Sequence, residues 1–156
     1  MHSASVQLTN DEGYEVDDTK DRLDLTVVYN FLASSYWAEG ISRATVKSSI
    51  ENSWCFGLYC PEGNQVGFMR LITDYATFAY LADVFVVEDA RGRGLGKWMI
   101  EEVFKMNELS SLRRVVLTTR DAHGLYERAG FRPLANPEWL MEILRPIVYL
   151  SEEADL

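Results

Sequence analysis

The chain has 156 residues, is 47% hydrophobic and 12% aromatic, and carries a formal charge of −9 at neutral pH. That length suits one domain with a sizeable core; the charge disfavours nucleic acid, which demands a basic face, and no apolar run approaches the roughly 18 residues of a membrane span. Met1–Ser5 carry no positive n-region and no long apolar stretch, so no secretory signal is expected; with two cysteines and no metal-ligand spacing, the expectation is a reduced, cytoplasmic protein without a metal.

Residues 1–12 are polar and read as a flexible tail ahead of a single domain, and Gly13–Asp18 reads as a first strand. Asp24 is placed to cap a helix from Leu25 to about Trp37, with Val28, Phe31, Leu32 and Tyr36 near one face. Gly40 ends it, and Ser42 caps a second helix from Arg43 to about Asn52. Trp54–Cys60 and Gln65–Asp74 are strands joined by a turn at Pro61–Asn64. Cys55 and Cys60, an odd separation apart on one strand, face opposite ways and are not expected to pair. After a turn at Tyr75–Thr77, Phe78–Val87 is a strand that runs into a basic, glycine-punctuated loop. The helix beyond it places Leu95, Met99, Val103 and Met106 on its apolar side. Arg114–Thr119 reads as a buried strand, a short helix follows from Ala122, and Gly130 is placed to end it. Phe131–Leu134 and Met141–Leu144 are the last two strands expected.

The loop Arg91-Gly92-Arg93-Gly94-Leu95-Gly96-Lys97 joins a strand to a helix N-terminus. Backbone N–H groups and the helix dipole there converge on one spot that favours an anion. Glycine lets the backbone approach a phosphate closely, and Arg91, Arg93 and Lys97 add charge. A nucleoside-triphosphate loop would need a hydroxyl after the lysine, but Trp98 follows Lys97. The dinucleotide fingerprint needs a different glycine spacing, on the first strand of its unit.

The remaining reading is Arg-x-x-Gly-x-Gly, spelled by Arg91, Gly94 and Gly96. About 30 residues on stand Ala122, Leu125, Tyr126, Gly130 and Phe131, spelling Ala-x-x-Leu-Tyr-x-x-x-Gly-Phe. Together, in this order, the two motifs resemble those of the GCN5-related N-acetyltransferase (GNAT) family, in detail over roughly residues 54–134. The resemblance implies an α/β (α+β) acyl-CoA N-acyltransferase fold: a mixed, mostly antiparallel, splayed sheet of six to seven strands flanked by about four helices. It implies acetyl-CoA as co-substrate, gripped by residues 91–97 and by the backbone of Val84, Phe85 and Val86 where the strands diverge. Thr119 stands where many relatives carry an Asn that contacts the pantetheine arm.

Acetyl transfer to an amine needs a neutral nucleophile, a polarised carbonyl and a proton for the departing thiolate. Tyr126 matches the tyrosine that supplies this proton in the family. Asp83 is the candidate base or substrate anchor. Polyamine-type members carry Glu-Asp where this chain has Ala82-Asp83, and strand alternation sets Ala82 and Asp83 on opposite faces. His123, three residues from Tyr126, is a minor candidate for proton transfer. In the family the acceptor pocket lies by the first two helices. Tyr36 and Trp37 there suit an aromatic or alkyl amine through stacking and cation–π contact, whereas Arg43 suits a carboxylate-bearing acceptor such as an amino acid. The acceptor expected is thus a small amine or amino-acid-like molecule, and a homodimer is open by analogy with relatives. An acyl-CoA sensor without turnover, or an acetyltransferase acting on protein N-termini or lysines, are the alternatives.

Overall fold

Two tight turns order the middle of the chain. At the first, Gly63 takes φ +90°, and Cys60 and Asn64 close the hairpin through a 2.9 Å backbone bond. At the second, the Asp74 carboxylate accepts from the amides of Ala76, Thr77 and Phe78 and from the Thr77 hydroxyl. The computed structural model describes residues 5–146 and 148–149, and these turns join the central three strands of its sheet.

The sheet has six strands in sequential order: β1 (Gln7–Thr9), β2 (Glu15–Asp17), β3 (Trp54–Tyr59), β4 (Gln65–Thr73), β5 (Phe78–Val86) and β6 (Arg114–Leu117). Every pairing is antiparallel except β5 with β6, which is parallel. Five helices accompany it: α1 (Leu25–Ala33), α2 (Arg43–Glu51), α3 (Leu95–Phe104), α4 (Asn107–Ser110) and α5 (His123–Glu127). Alternation along the strands feeds two cores. Met69, Leu71 and Leu81 meet Met99, Ile100 and Val103 of α3 on one face. On the other, Cys55, Phe68 and Phe85 meet Val28 and Leu32 of α1 and Val46 and Ile50 of α2. The mixed six-stranded sheet with helices on both faces is the architecture expected.

Several boundaries differ, each for a local reason. Residues 7–9 of the expected tail are strand β1, because Val6 N–H donates to the Asp18 carboxylate and pins the segment beside β2; residues 1–4 lie outside the described residues. Helix α1 stops at Ala33, short of Trp37. Ser34 bonds back to the carbonyls of Asn30 and Phe31, and Ser35 bonds that of Leu32 while capping Ala38. Such serine contacts compete with the helical ladder. The expected caps Asp24 and Ser42 do accept from the first turns of α1 and α2. Both cysteines are free, and burial pushes the Cys55 thiol up to about 12. Phe131–Leu134 and Met141–Leu144, expected as strands, form none: no ladder partner meets them among the described residues. No helix among the described residues is long and apolar enough to cross a membrane.

Candidate active site

The ladder between β5 and β6 runs from Phe78↔Arg114 to Leu81↔Leu117 and stops. Beyond it β5 continues alone on that side to Val86, still paired to β4 on the other through Phe68↔Phe85 and Gly67↔Val86. Residues 82–86 therefore present a strand edge with no sheet partner among the described residues, and unpaired backbone groups call for a partner. The Phe85 side chain lies elsewhere, buried and stacked on Phe31 with centroids 4.0 Å apart.

That edge leads into the glycine loop. Arg91 folds back so that its Nε donates to the Val86 carbonyl at 2.9 Å. Gly92 and Gly94 take φ +81° and +72°, conformations that side-chain-bearing residues rarely adopt. A Cβ on either would meet no protein atom within 4 Å, so open space lies in front of the turn. The first helical bond of α3 is Trp98 N–H to Gly94 O. The N–H groups of Leu95, Gly96 and Lys97 are therefore left over at the helix start, as helix geometry requires. The Leu95 side chain is buried in the core, so only its backbone faces the opening. Arg93 and Lys97 are exposed beside it.

Across the gap stands α5. Its end is closed by Gly130 at φ +102°, with Phe131 N–H on the Tyr126 carbonyl and Gly130 N–H on that of Glu127. Tyr126 is half-buried edge-on to Phe131, and its hydroxyl has no hydrogen-bond partner among the described residues. Burial first, then the neighbouring Tyr36 and Asp121, push its phenol up to about 12. The Thr119 hydroxyl accepts from Ala122 N–H at 3.0 Å and so holds the turn into α5. His123 is exposed and lines a cleft that Tyr126 also lines.

Asp83 departs from strand alternation. Arg70 pairs with Ala82 and Phe68 with Phe85, so two residues of β5 oppose one of β4. Asp83 absorbs the extra residue at φ +56°, a β-bulge. The bulge corrects the opposite-face expectation: Arg70, the register partner of Ala82, is also the ion-pair partner of Asp83. Asp83 accepts from Arg70 Nε at 2.8 Å through Oδ2 and from Trp37 Nε1 at 3.0 Å through Oδ1. Both oxygens are thus engaged. Arg70 also donates to the Ser53 hydroxyl.

Trp37 is edge-on to Tyr36, and the Arg120 guanidinium lies 3.9 Å from the Tyr36 ring centre. A continuous chain of contacts, Arg70–Asp83–Trp37–Tyr36–Arg120, therefore spans from β4 and β5 to the segment between β6 and α5. Arg43 is not part of it. It donates to Thr26 and lies over Tyr29, tying α2 to α1. Sequence reasoning missed Arg70 and Arg120. Arg70 had a visible signal, a lone charge inside the apolar run Phe68–Ile72; Arg120 had none. Among the described residues no group of three or more His, Cys, Asp or Glu is placed to hold a metal ion.

The geometry can be compared with known proteins. Residues 51–133, just over half of the chain, match the family described as Acetyltransferase (GNAT) domain. A crystal structure from Xanthomonas campestris pv. campestris, of a provisionally named acetyltransferase of the GNAT family, is 44% identical. It covers 87% of this chain and 96% of that one, with a TM-score of 0.83. A Gibberella zeae protein with a provisional acetyltransferase name is 32% identical over 109 residues, which span 58% of this chain and 62% of that protein. A Mycobacterium tuberculosis protein crystallised in complex with CoA and NLQ shares the fold at 18% identity and a TM-score of 0.59, over 76% of this chain and 72% of that one. The chain belongs to the GNAT acetyltransferase family.

Proposed function

We propose that this protein transfers the acetyl group of acetyl-CoA to the primary amine of a small acceptor. One observation carries the reading: the edge of β5 over residues 82–86 that has no sheet partner among the described residues runs on, through the glycine loop, to the free N–H groups of Leu95, Gly96 and Lys97. Such a run suits a long ligand with amide groups at one end and a pyrophosphate at the other. Gly92, Arg93, Gly94 and Lys97 would hold the pyrophosphate. The backbone of Val84, Phe85 and Val86, with Thr119 across the gap, would hold the arm. When bound, acetyl-CoA supplies a thioester carbonyl and a thiol leaving group.

The protein's own groups then have separate tasks. Tyr126 keeps its proton at neutral pH and has no partner among the described residues, so its hydroxyl is free to donate to the departing sulfur. Asp83, with both oxygens occupied, is suited to fixing Trp37 and Arg70 rather than to taking a proton directly. Tyr36 and Trp37 offer half-exposed aromatic faces on which an acceptor can rest. Arg120, already over one ring, offers a cation to an acceptor that carries a carboxylate. Arg43, held on α1, is left out of the acceptor site.

Release of free thiol from acetyl-CoA against a panel of primary amines and amino acids tests the reading. Acceptor-dependent release is expected with at least one small amine. Tight CoA binding with no release for any small acceptor would instead favour a sensor, and release only with peptides would favour a protein acetyltransferase.

A further inference from the structure

Phe68, Arg70 and Ile72 alternate along β4 and share the sheet face on which α1 and α2 lie. The helices cover Phe68 completely but leave Ile72 43% exposed. Between α2 and this uncovered part of β4 runs a groove of about 490 Å³, and Ser48, Ser49, Asn52, Ser53, Arg70 and Ile72 line it. Two chains of contact tie the groove to the rest of the site. Arg70 holds Asp83, which holds Trp37. Ile72 faces Tyr80 across the β4–β5 ladder, and the Tyr80 hydroxyl donates to Thr118, next to Thr119.

The polar groups of the groove have capacity to spare. Arg70 spends Nε on Asp83 and Nη1 on the Ser53 hydroxyl, and its Nη2 hydrogens have no partner among the described residues. Ser53 is 6% exposed and accepts from Arg70, while its own proton has no acceptor among the described residues. The Ser48 hydroxyl likewise has no partner among them. Ser49 donates to the Val46 carbonyl and Asn52 Nδ2 to the Ser48 carbonyl, which leaves Ser49 Oγ and Asn52 Oδ1 as acceptors. Charge is balanced on the spot. Arg70 is the one charged residue in the lining, and the Asp83 carboxylate 2.8 Å from its Nε offsets it. A ligand that meets donors and acceptors side by side on a neutral surface must itself do both. A hydroxyl does. A carboxylate only accepts, and it would set its lone pairs against those of Ser49 and Asn52. A bare alkyl chain would cover these groups and leave them unpaired.

We infer that the acceptor is a polyhydroxylated amine, whose uncharged hydroxylated tail lies in the groove between α2 and β4 while its amine reaches past Trp37 to the thioester. The inference rests on the acetyl-transfer reading above and narrows it. The neutral amine nitrogen bonds to the carbonyl carbon, the carbon–sulfur bond breaks, sulfur takes the Tyr126 proton, and the proton of the acylated nitrogen leaves to solvent. Arg70 then serves on two sides, fixing Asp83 with Nε and a hydroxyl of the acceptor with Nη2. Ile72 offers an apolar surface to the C–H groups between the hydroxyls. The formal charge of −9 draws a cationic amine toward the protein and repels an acidic tail.

Thiol release from acetyl-CoA by the full chain is compared for glucamine, hexylamine and ω-aminohexanoate, amines on carbon chains of equal length. Glucamine is expected to show a kcat/KM at least roughly tenfold above either of the others, the factor that two or more hydrogen bonds of ordinary net strength supply. Ser48→Leu and Asn52→Leu change exposed positions of the groove wall. Each variant, shown by circular dichroism to be folded, should bring the glucamine-to-hexylamine ratio to within about threefold of unity. Release as fast with hexylamine, or fastest with ω-aminohexanoate, would overturn the inference and leave acetyl transfer standing. A glucamine preference that survives both substitutions would also overturn it. Absence of release with all three amines overturns it too, and release with other amines of the wider panel then decides whether the acetyl-transfer reading falls with it.

Discussion

Tyr126 and Asp83 illustrate how burial and partnership assign roles to two ionisable groups. A half-buried phenol edge-on to Phe131, with no hydrogen-bond partner among the described residues, holds its proton far above neutrality. Tyr126→Phe is therefore expected to lower kcat by roughly 100-fold or more while leaving the Kd for CoA within about twofold, as read by turnover and calorimetry. Equal loss in both would make the residue structural. Asp83 is a carboxylate with two committed oxygens in a strained backbone position. Asp83→Asn removes the charge that balances Arg70, whose side chain is only 14% exposed. Breaking such a pair costs about 3 kcal/mol. Urea denaturation should show that loss, and the acceptor KM should rise, while the acidic limb of the pH–rate profile stays where it was. Disappearance of that limb would restore Asp83 as the base.

At the scale of elements, the informative feature is a junction, strand β5 passing through its loop into α3. A left-handed Gly94 turns the chain so that the helix start faces the unpaired strand edge. Gly94→Val forces a branched residue to φ +72°, at a cost of roughly 1–3 kcal/mol. Its side chain would project into the space in front of the N–H groups. CoA affinity is expected to fall more than tenfold while the thermal transition stays cooperative. An unchanged Kd would remove the loop from the site. The β4–β5 bulge is a second device of the same kind. One extra residue at Asp83 re-aims a side chain from the α3 face toward Trp37.

Across the whole molecule, three buried or half-buried groups share one electrostatic consequence. Burial raises the Tyr59 and Tyr126 phenols from 10.0, and the Cys55 thiol from 9.0, each to about 12. All three are neutral while protonated. Between about pH 9 and 12 the unfolded chain has released these protons and the folded chain has not, so the unfolded state binds fewer protons. Their contribution to stability is fully present below about pH 9 and falls as pH rises through that window. Urea melts at pH 8, 10 and 11 should show the decline, and Tyr59→Phe should make it shallower by removing one of the three groups. The Tyr59 hydroxyl is also buried without a hydrogen-bond partner among the described residues. Tyr59→Phe is therefore expected to be neutral or to stabilise the neutral-pH protein by about 1 kcal/mol.

Local chemistry was readable from residue order. The caps at Asp24 and Ser42, the hairpin at Pro61–Asn64, the glycine turn before α3 and the closing turn at Gly130 all depend on neighbours within a few positions. The motifs at Arg91–Gly96 and Ala122–Phe131 sufficed to point to the family. Three things needed the tertiary structure. The side to which Asp83 points was decided by a register shift against Arg70, thirteen residues away. The company that Tyr36 keeps was decided by Arg120, brought from the far side of the sheet gap. The failure of residues 131–134 and 141–144 to form strands was decided by the lack of a ladder partner among the described residues. A strand's existence depends on what lies beside it, and no pattern within the strand itself carries that information.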